Sequence, residues 1–473
     1  MMTLNATDTR LENDSLGVVS IPASVYYGAQ TARALTNFQI SGIPIGHYPV
    51  LVRSLALVKK AAAIANHALG DLPDDKKDVI VRACDDVADG LLADQFVLDV
   101  FQGGAGTSTN MNMNEVVANR ALEHLGLPRG RFDVIHPNND VNLSQSTNDV
   151  YPTAIRLALA LSTQQLLDAI ETLASSFEAK AHEFVDIIKL GRTQLQDAVP
   201  MTLGQEFKAF AVTLREDMPR LNDAVHLLHE VNLGGTAIGT GITADPRYAS
   251  VAIAELASIS ELPLKPASDF VEACWDAGAF VLFSGTLKRT AVKVSKICND
   301  LRLLSSGPRG GVGEINLPPM QPGSSIMPGK INPVIPEVVN QVAFQVIGAD
   351  VVVTMAAEAG QLQLNAFEPV IVFNLLQSIT LITNAMLTLA SKCVDGISAN
   401  EEHCRRNLEA GTALATALIS LVGYEKSALL AKKILATGRS MRELLEEDQE
   451  LTPDLIDKVL ETKSFTQPLR LRR

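Results

Sequence analysis

Four segments of this 473-residue chain concentrate small hydroxyl, amide and glycine residues, and they are the places where chemistry would be done. Gln102 to Asn114 reads QGGAGTSTNMNMN, and His136 to Thr153 reads HPNNDVNLSQSTNDVYPT. Leu190 to Gly204 reads LGRTQLQDAVPMTLG, and Gly323 to Pro336 reads GSSIMPGKINPVIP. In GGAGTST the glycines let the backbone approach a ligand, and Thr107 and Ser108 add hydroxyl donors; an ordinary loop has the same composition. In SQSTND, Ser146, Thr147 and Asn148 precede a helix predicted to begin near Pro152, where they serve equally as caps or as anion ligands. The fourth segment is the most unusual. Ser324 and Ser325 follow Gly323, Lys330 sits between Gly329 and Ile331, Asn332 is close by, and prolines hold the loop extended before a helix near Glu337. It does not match GxxxxGK[ST], which excludes a Walker-type phosphate loop.

The elements that must position these loops are helices. Apolar residues Leu159, Leu166, Ile170, Leu173 and Phe177 recur at helical spacing within Thr153 to Lys180. Phe207, Phe210, Leu214, Leu221, Val225 and Leu228 do so within Met201 to Leu233, where Pro219 predicts a kink. Pro49 to Leu69, Asp75 to Leu92, Val271 to Leu304 and, in pieces, Glu337 to Cys393 also read as helical, and Val18 to Ile21 as a short strand. Val338 to Met355 has little polar surface to show water, so it predicts burial against other helices, including those of other subunits. The division expected is 1–145, mixed but mostly helical; 146–396, a central helical bundle; and 397–473, a small C-terminal helical domain.

Composition narrows the function classes. With 47% hydrophobic and only 5% aromatic residues, the core is aliphatic, which suits packed helices. A net charge of −13 argues against nucleic-acid binding. The basic trio Arg470, Arg472 and Arg473 reads as a solvated terminus. Five scattered cysteines without a CxxC pair predict neither a zinc site nor a disulfide framework, and free thiols predict a cytoplasmic location. No uninterrupted apolar stretch of about 18 residues is visible, so no membrane span is expected.

GSSIMPGKINP resembles the signature of the aspartase/fumarase superfamily, which also includes argininosuccinate and adenylosuccinate lyases. The other three segments match that superfamily's remaining motif regions in order, and the resemblance runs from Pro22 to Gly396. It implies a mainly α, three-domain fold whose long-helix bundle forms the twenty-helix core of a homotetramer, with active sites shared by three subunits. It implies anti-elimination from succinyl-type substrates to give fumarate, without a cofactor. By similarity, Ser324 is the general base at the substrate β-carbon, and Lys330 and Asn332 bind the adjacent carboxylate. Thr107, Ser146, Thr147, Asn148 and Thr193 hold the carboxylates and amine, with main-chain N–H groups near Ser325 contributing.

Within the family the choice turns on the leaving group. Fumarases carry a histidine in the GRTxLQDA segment, paired with a glutamate after the serine loop; here that position is Gln194, while Glu337 remains. A glutamine amide does not titrate, whereas an ammonium leaves already protonated, so ammonia loss from L-aspartate is expected. GGAGTS and MAAEAGQLQLNAFEP agree, although HPNNDVN and MPGK are closer to fumarase-type sequences. The alternatives are water loss from malate, ammonia loss from a related amino-succinate, and an idle crystallin-like protein, which would predict damage to the serine loop. His136 reads either as an anion ligand or as a surface residue, and Arg33 as a carboxylate ligand or a structural ion pair. Asp197 and Glu206 are expected to orient the Thr193 segment. No metal-ligand cluster is evident, and activation by a divalent cation is not predictable from the sequence.

Overall fold

The computed structural model describes residues 8–447, 452–460 and 466; Arg470, Arg472 and Arg473 lie outside them. The fold is mainly α-helical, and the strands among the described residues pair only two by two. The chain folds as two compact units that interleave along the sequence. One comprises Met1–Leu167, Pro219–Arg289 and Gln345–Leu381; the other comprises Asp168–Met218, Thr290–Phe344 and Ile382–Arg473.

In the first unit, Pro49–Leu69 begins with proline at its first position, where a missing N–H costs nothing, and stops at left-handed Gly70. Thr107–His124 is buried almost throughout its length. Its Glu115 closes the start of the Ala29–Asn37 helix by accepting hydrogen bonds from the N–H groups of Gly28 (2.7 Å), Gln30 (2.9 Å) and Thr31 (3.2 Å), and from Thr31 Oγ1 (2.6 Å). Burial nonetheless pushes that carboxyl up to about 7.

The long helix expected from about Pro152 starts earlier and runs Thr147–Glu183, with Pro152 inside it. Proline leaves the Asn148 carbonyl without its helical donor. Asn232 Nδ2 supplies the substitute at 3.0 Å, a partner 84 residues away that local sequence cannot reveal. The single kinked helix expected around Pro219 is two helices, Leu203–Arg215 and Asp217–Leu228. Pro219 lies in the first turn of the second, where no N–H is needed.

In the second unit, Leu190–Gly204 is not a loop but mostly a hairpin, Ile188–Thr193 paired with Gln196–Thr202, with a bulge between Leu190 and Arg192. Its base is held by buried charges. Lys189 Nζ lies 2.5 Å from Glu206 and 2.8 Å from Glu314, and Arg192 Nη1 lies 2.7 Å from the same Glu314. Thr202 then starts the next helix through a reciprocal capping box with Gln205. Among the residues after Gly396, Leu408, Leu414, Leu418, Leu430, Ile434 and Leu445 form an apolar cluster with Leu190.

Val334–Glu358 and Glu368–Gly396 reach the length and hydropathy of a membrane span, unlike the sequence expectation. Yet Asp350 in the first accepts from Ser284 Oγ (2.8 Å) and pairs with Lys288 (2.5 Å), and Asn374 in the second is buried. These polar groups belong to helices packed on helices.

Candidate active site

The first unit gathers Thr107 and the Ser146–Thr147–Asn148 turn. Gly104, Ala105 and Gly106 all have positive φ (92°, 54° and 86°), which turns the chain sharply into the helix beginning at Thr107. Gly106 is required by space as well: a Cβ there would lie 2.5 Å from the Tyr151 ring. That contact packs the start of Thr107–His124 against the first turns of Thr147–Glu183. Two helix N-termini side by side present their positive dipole ends, a setting that favours carboxylates.

Polar partners fix this corner. Asn110 Nδ2 donates to Thr147 Oγ1 at 3.0 Å, Asn148 Nδ2 donates to Ala237 O at 2.7 Å, and the Ser146 hydroxyl accepts from Asn148 N–H at 3.2 Å. The fully buried Asp149 carboxylate accepts from the N–H groups of Ser146 (2.9 Å), Gly234 (2.9 Å) and Thr236 (3.0 Å). Burial pushes its carboxyl up to about 6 against those donors and Lys59. The structure thereby adds a fifth loop, Asn232 to Thr243, to the four that the sequence singles out. A signal for it is present in the sequence: NLGGTAIGTGIT interrupts the helical pattern with four glycines, three of them at positive φ.

The second unit gathers Ser324, Lys330 and Asn332. Ser324 Oγ accepts from the N–H groups of Ile326 (3.2 Å) and Met327 (3.0 Å). Gly323 N–H donates to Lys330 O at 2.8 Å, and Asn332 Nδ2 donates to Gly323 O at 2.8 Å, so the loop is cinched at its neck. A Cβ at Gly323 would lie 2.3 Å from Lys330 O. In this arrangement the Asn332 side chain holds the loop, while Ser325 and Lys330 face solvent. Ser324, Met327, Lys330 and Ile331 line an open concavity. Glu337 is half-buried in the first turn of Val334–Glu358.

Thr193 and Gln194 occupy the tip of the hairpin, both exposed. Gln194 and Leu195 have φ of 53° and 62°. Two successive non-glycine residues in the left-handed region store strain that a glycine turn would avoid, a feature that concentrates at functional sites. Glu206 acts at the hairpin base through Lys189. Arg33 pairs bidentately with Asp14 (2.7 and 2.9 Å), the structural alternative of the two. His136 Nδ1 accepts from the N–H groups of Asn138 (3.0 Å) and Asn139 (3.2 Å), capping the π-helical turn Pro137–Val141. Among the described residues, no group of three or more His, Cys, Asp or Glu is placed to hold a metal.

Comparison with known proteins assigns this architecture. A family model described as "Lyase" matches residues 17–348, and one described as "Fumarase C C-terminus" matches residues 414–467. The chain belongs to the aspartase/fumarase family of lyases. An aspartate ammonia-lyase of Pseudomonas canavaninivorans is 58% identical over 98% of this chain and 98% of its own. Among solved structures of the family, a fumarate lyase:delta crystallin from Brucella melitensis bound to cobalt is 61% identical, with TM-score 0.94 over 96% of this chain and 99% of its own. A class II fumarase from Schistosoma mansoni is 36% identical, with TM-score 0.90 over 96% of this chain and 98% of its own. The present lyase is mainly helical over its described residues.

Proposed function

We propose that the protein is an aspartate ammonia-lyase, converting L-aspartate reversibly into fumarate and ammonia. The observation that carries this reading is Gln194 at the exposed, strained hairpin tip, where water elimination would call for a titratable acid. The gradient of identity supports it, from 58% with an enzyme named for ammonia loss to 36% with a fumarase.

Ser324 takes the proton from the substrate β-carbon, leaving a doubly charged aci-carboxylate. The carbon–nitrogen bond then breaks with its electron pair going to nitrogen, and ammonia departs. A serine is a useful base only if its alkoxide is stabilised. The two N–H groups already directed at Ser324 Oγ, from Ile326 and Met327, fit that need. Lys330 provides positive charge for the aci-carboxylate. Thr107, Ser146, Thr147, Asn148 and Thr193 supply donors for the substrate's carboxylates and amine.

The chemistry transfers no electrons and calls for no cofactor. The homotetramer with three-subunit sites belongs to the same proposal. Its support is the apolar stripe of Phe344, Val351, Val352 and Met355 along one helix, left exposed in the single chain. A cytoplasmic location is supported by five free, buried thiols. The test is fumarate absorbance on incubation with L-aspartate and, separately, with L-malate. Fumarate from aspartate alone, reduced by about 10³-fold or more in Ser324→Ala, is the expected result. Fumarate from malate alone overturns the proposal in favour of a hydratase.

A further inference from the structure

Behind the Ser146–Thr147–Asn148 turn lies a buried cation that the chemistry above does not use. Lys59, on the Pro49–Leu69 helix, is wholly excluded from solvent. Its Nζ donates to Asn142 Oδ1 at 2.8 Å and to Gln145 Oε1 at 2.9 Å. The same Asn142 oxygen accepts from Asn110 Nδ2 (3.2 Å) and Asn114 Nδ2 (3.1 Å). Three donors converging on one atom leave the Asn142 amide a single orientation, with its nitrogen turned to Gln145 O at 3.2 Å. Asn110 must then face this centre nitrogen-first. Its amide nitrogen also meets Thr147 Oγ1, at 3.0 Å. A hydroxyl that accepts on one side has its one proton free to donate on another. Thr147 is thus set as a donor, the polarity a carboxylate requires.

We propose that Lys59 is a positioning residue for carboxylate recognition: its ammonium fixes the Asn142 and Asn110 amides, and these fix Thr147 as a donor to the substrate. A buried ammonium does this better than a neutral amide in its place, because it has only donors and cannot flip to present an acceptor. Burial pulls the Lys59 ammonium down to about 7, opposed by Asp149 and Cys84, so the charge is kept below that pH at a cost in desolvation. The inference rests on reading the Ser146–Thr147–Asn148 turn as a carboxylate site in the proposed lyase.

A double-mutant cycle on the full chain tests it, using Lys59→Met, Thr147→Val and the pair, with L-aspartate as substrate and succinate as competitive inhibitor. A lost donor to a carboxylate present in both ground and transition states raises KM more than it lowers kcat. For Lys59→Met the expected result is a rise of about tenfold in KM and in the succinate inhibition constant, with a smaller fall in kcat. The double variant should be little worse than Thr147→Val alone. An unchanged KM in folded Lys59→Met, or effects that multiply in the double variant, overturns the proposal. If Thr147→Val itself leaves KM unchanged, the carboxylate reading of the turn fails instead. Should Lys59→Met not fold, Lys59→Gln enters the same cycle, where multiplying effects again overturn the idea.

Discussion

The two loop systems proposed to handle substrate are built in opposite ways. Around Thr147 the polar side chains are buried and mutually bonded, with Thr109, Asn110, Asn114 and Asp149 almost without solvent contact. Around Ser324 the loop is held at its neck by one backbone bond and the Asn332 side chain, and Ile326 is 83% exposed. The first arrangement suits a binding surface organised before substrate arrives. The second suits a reactive group that requires shielding by substrate, chain movement or another subunit, because a serine open to water is a weak base and Ser324 is only half-buried. On the proposed reading specificity and reactivity are separable, and substitutions should separate them.

The largest effect is expected in the exposed system. Lys330→Met removes the loop's positive charge, which should lower kcat/KM by roughly 10²–10³-fold while leaving the thermal midpoint nearly unchanged. A fall in the midpoint as large as that of core variants would show that the loop also supports the fold, and would erase the contrast.

Two glycines sharpen the comparison on the stability side. Gly106→Ala drives a methyl group into the Tyr151 ring at a φ of 86°. It should cost about 3 kcal/mol or more in denaturant unfolding, if the chain folds at all. Gly329→Ala, at a φ of 78° with no atom within 4 Å, should cost only about 1 kcal/mol. Equal costs would mean that crowding at Gly106 relaxes freely.

The smallest effect is a pH dependence. Burial pushes the Glu368 carboxyl up to about 8, with Arg156 opposing. A carboxyl raised in the folded state contributes stability that is present below its unfolded value of 4.5 and is lost as pH rises through about 8. Glu368→Gln removes that loss, so its midpoint should exceed the native protein's by a few degrees at pH 9 and show no such advantage at pH 5. Melting curves with a pH-independent difference would place the Glu368 charge elsewhere in the balance.

Much of this architecture is legible in the residues themselves. The Pro49–Leu69 helix has the bounds expected of it, and its proline start and glycine stop are local signals. The serine loop stands out for the same reason. The hairpin does not, since its tip carries Gln194 and Leu195 instead of the glycine or asparagine that marks a tight turn. The early start of Thr147–Glu183 is hidden by Pro152, whose unpaired neighbour is satisfied by distant Asn232.

The sequence by itself determined the chemistry open to the proposed site: a serine, a lysine and a glutamine whose acid–base character, or lack of it, follows from residue type alone. Only the tertiary structure decided how those groups and their supports are oriented. That Lys59 is buried, that Asn142 turns its oxygen toward it, and that Thr147 is left to donate all depend on contacts spanning 32 to 83 residues. Burial and hydrogen-bond polarity are properties of neighbours in space, and no local pattern along the chain encodes them.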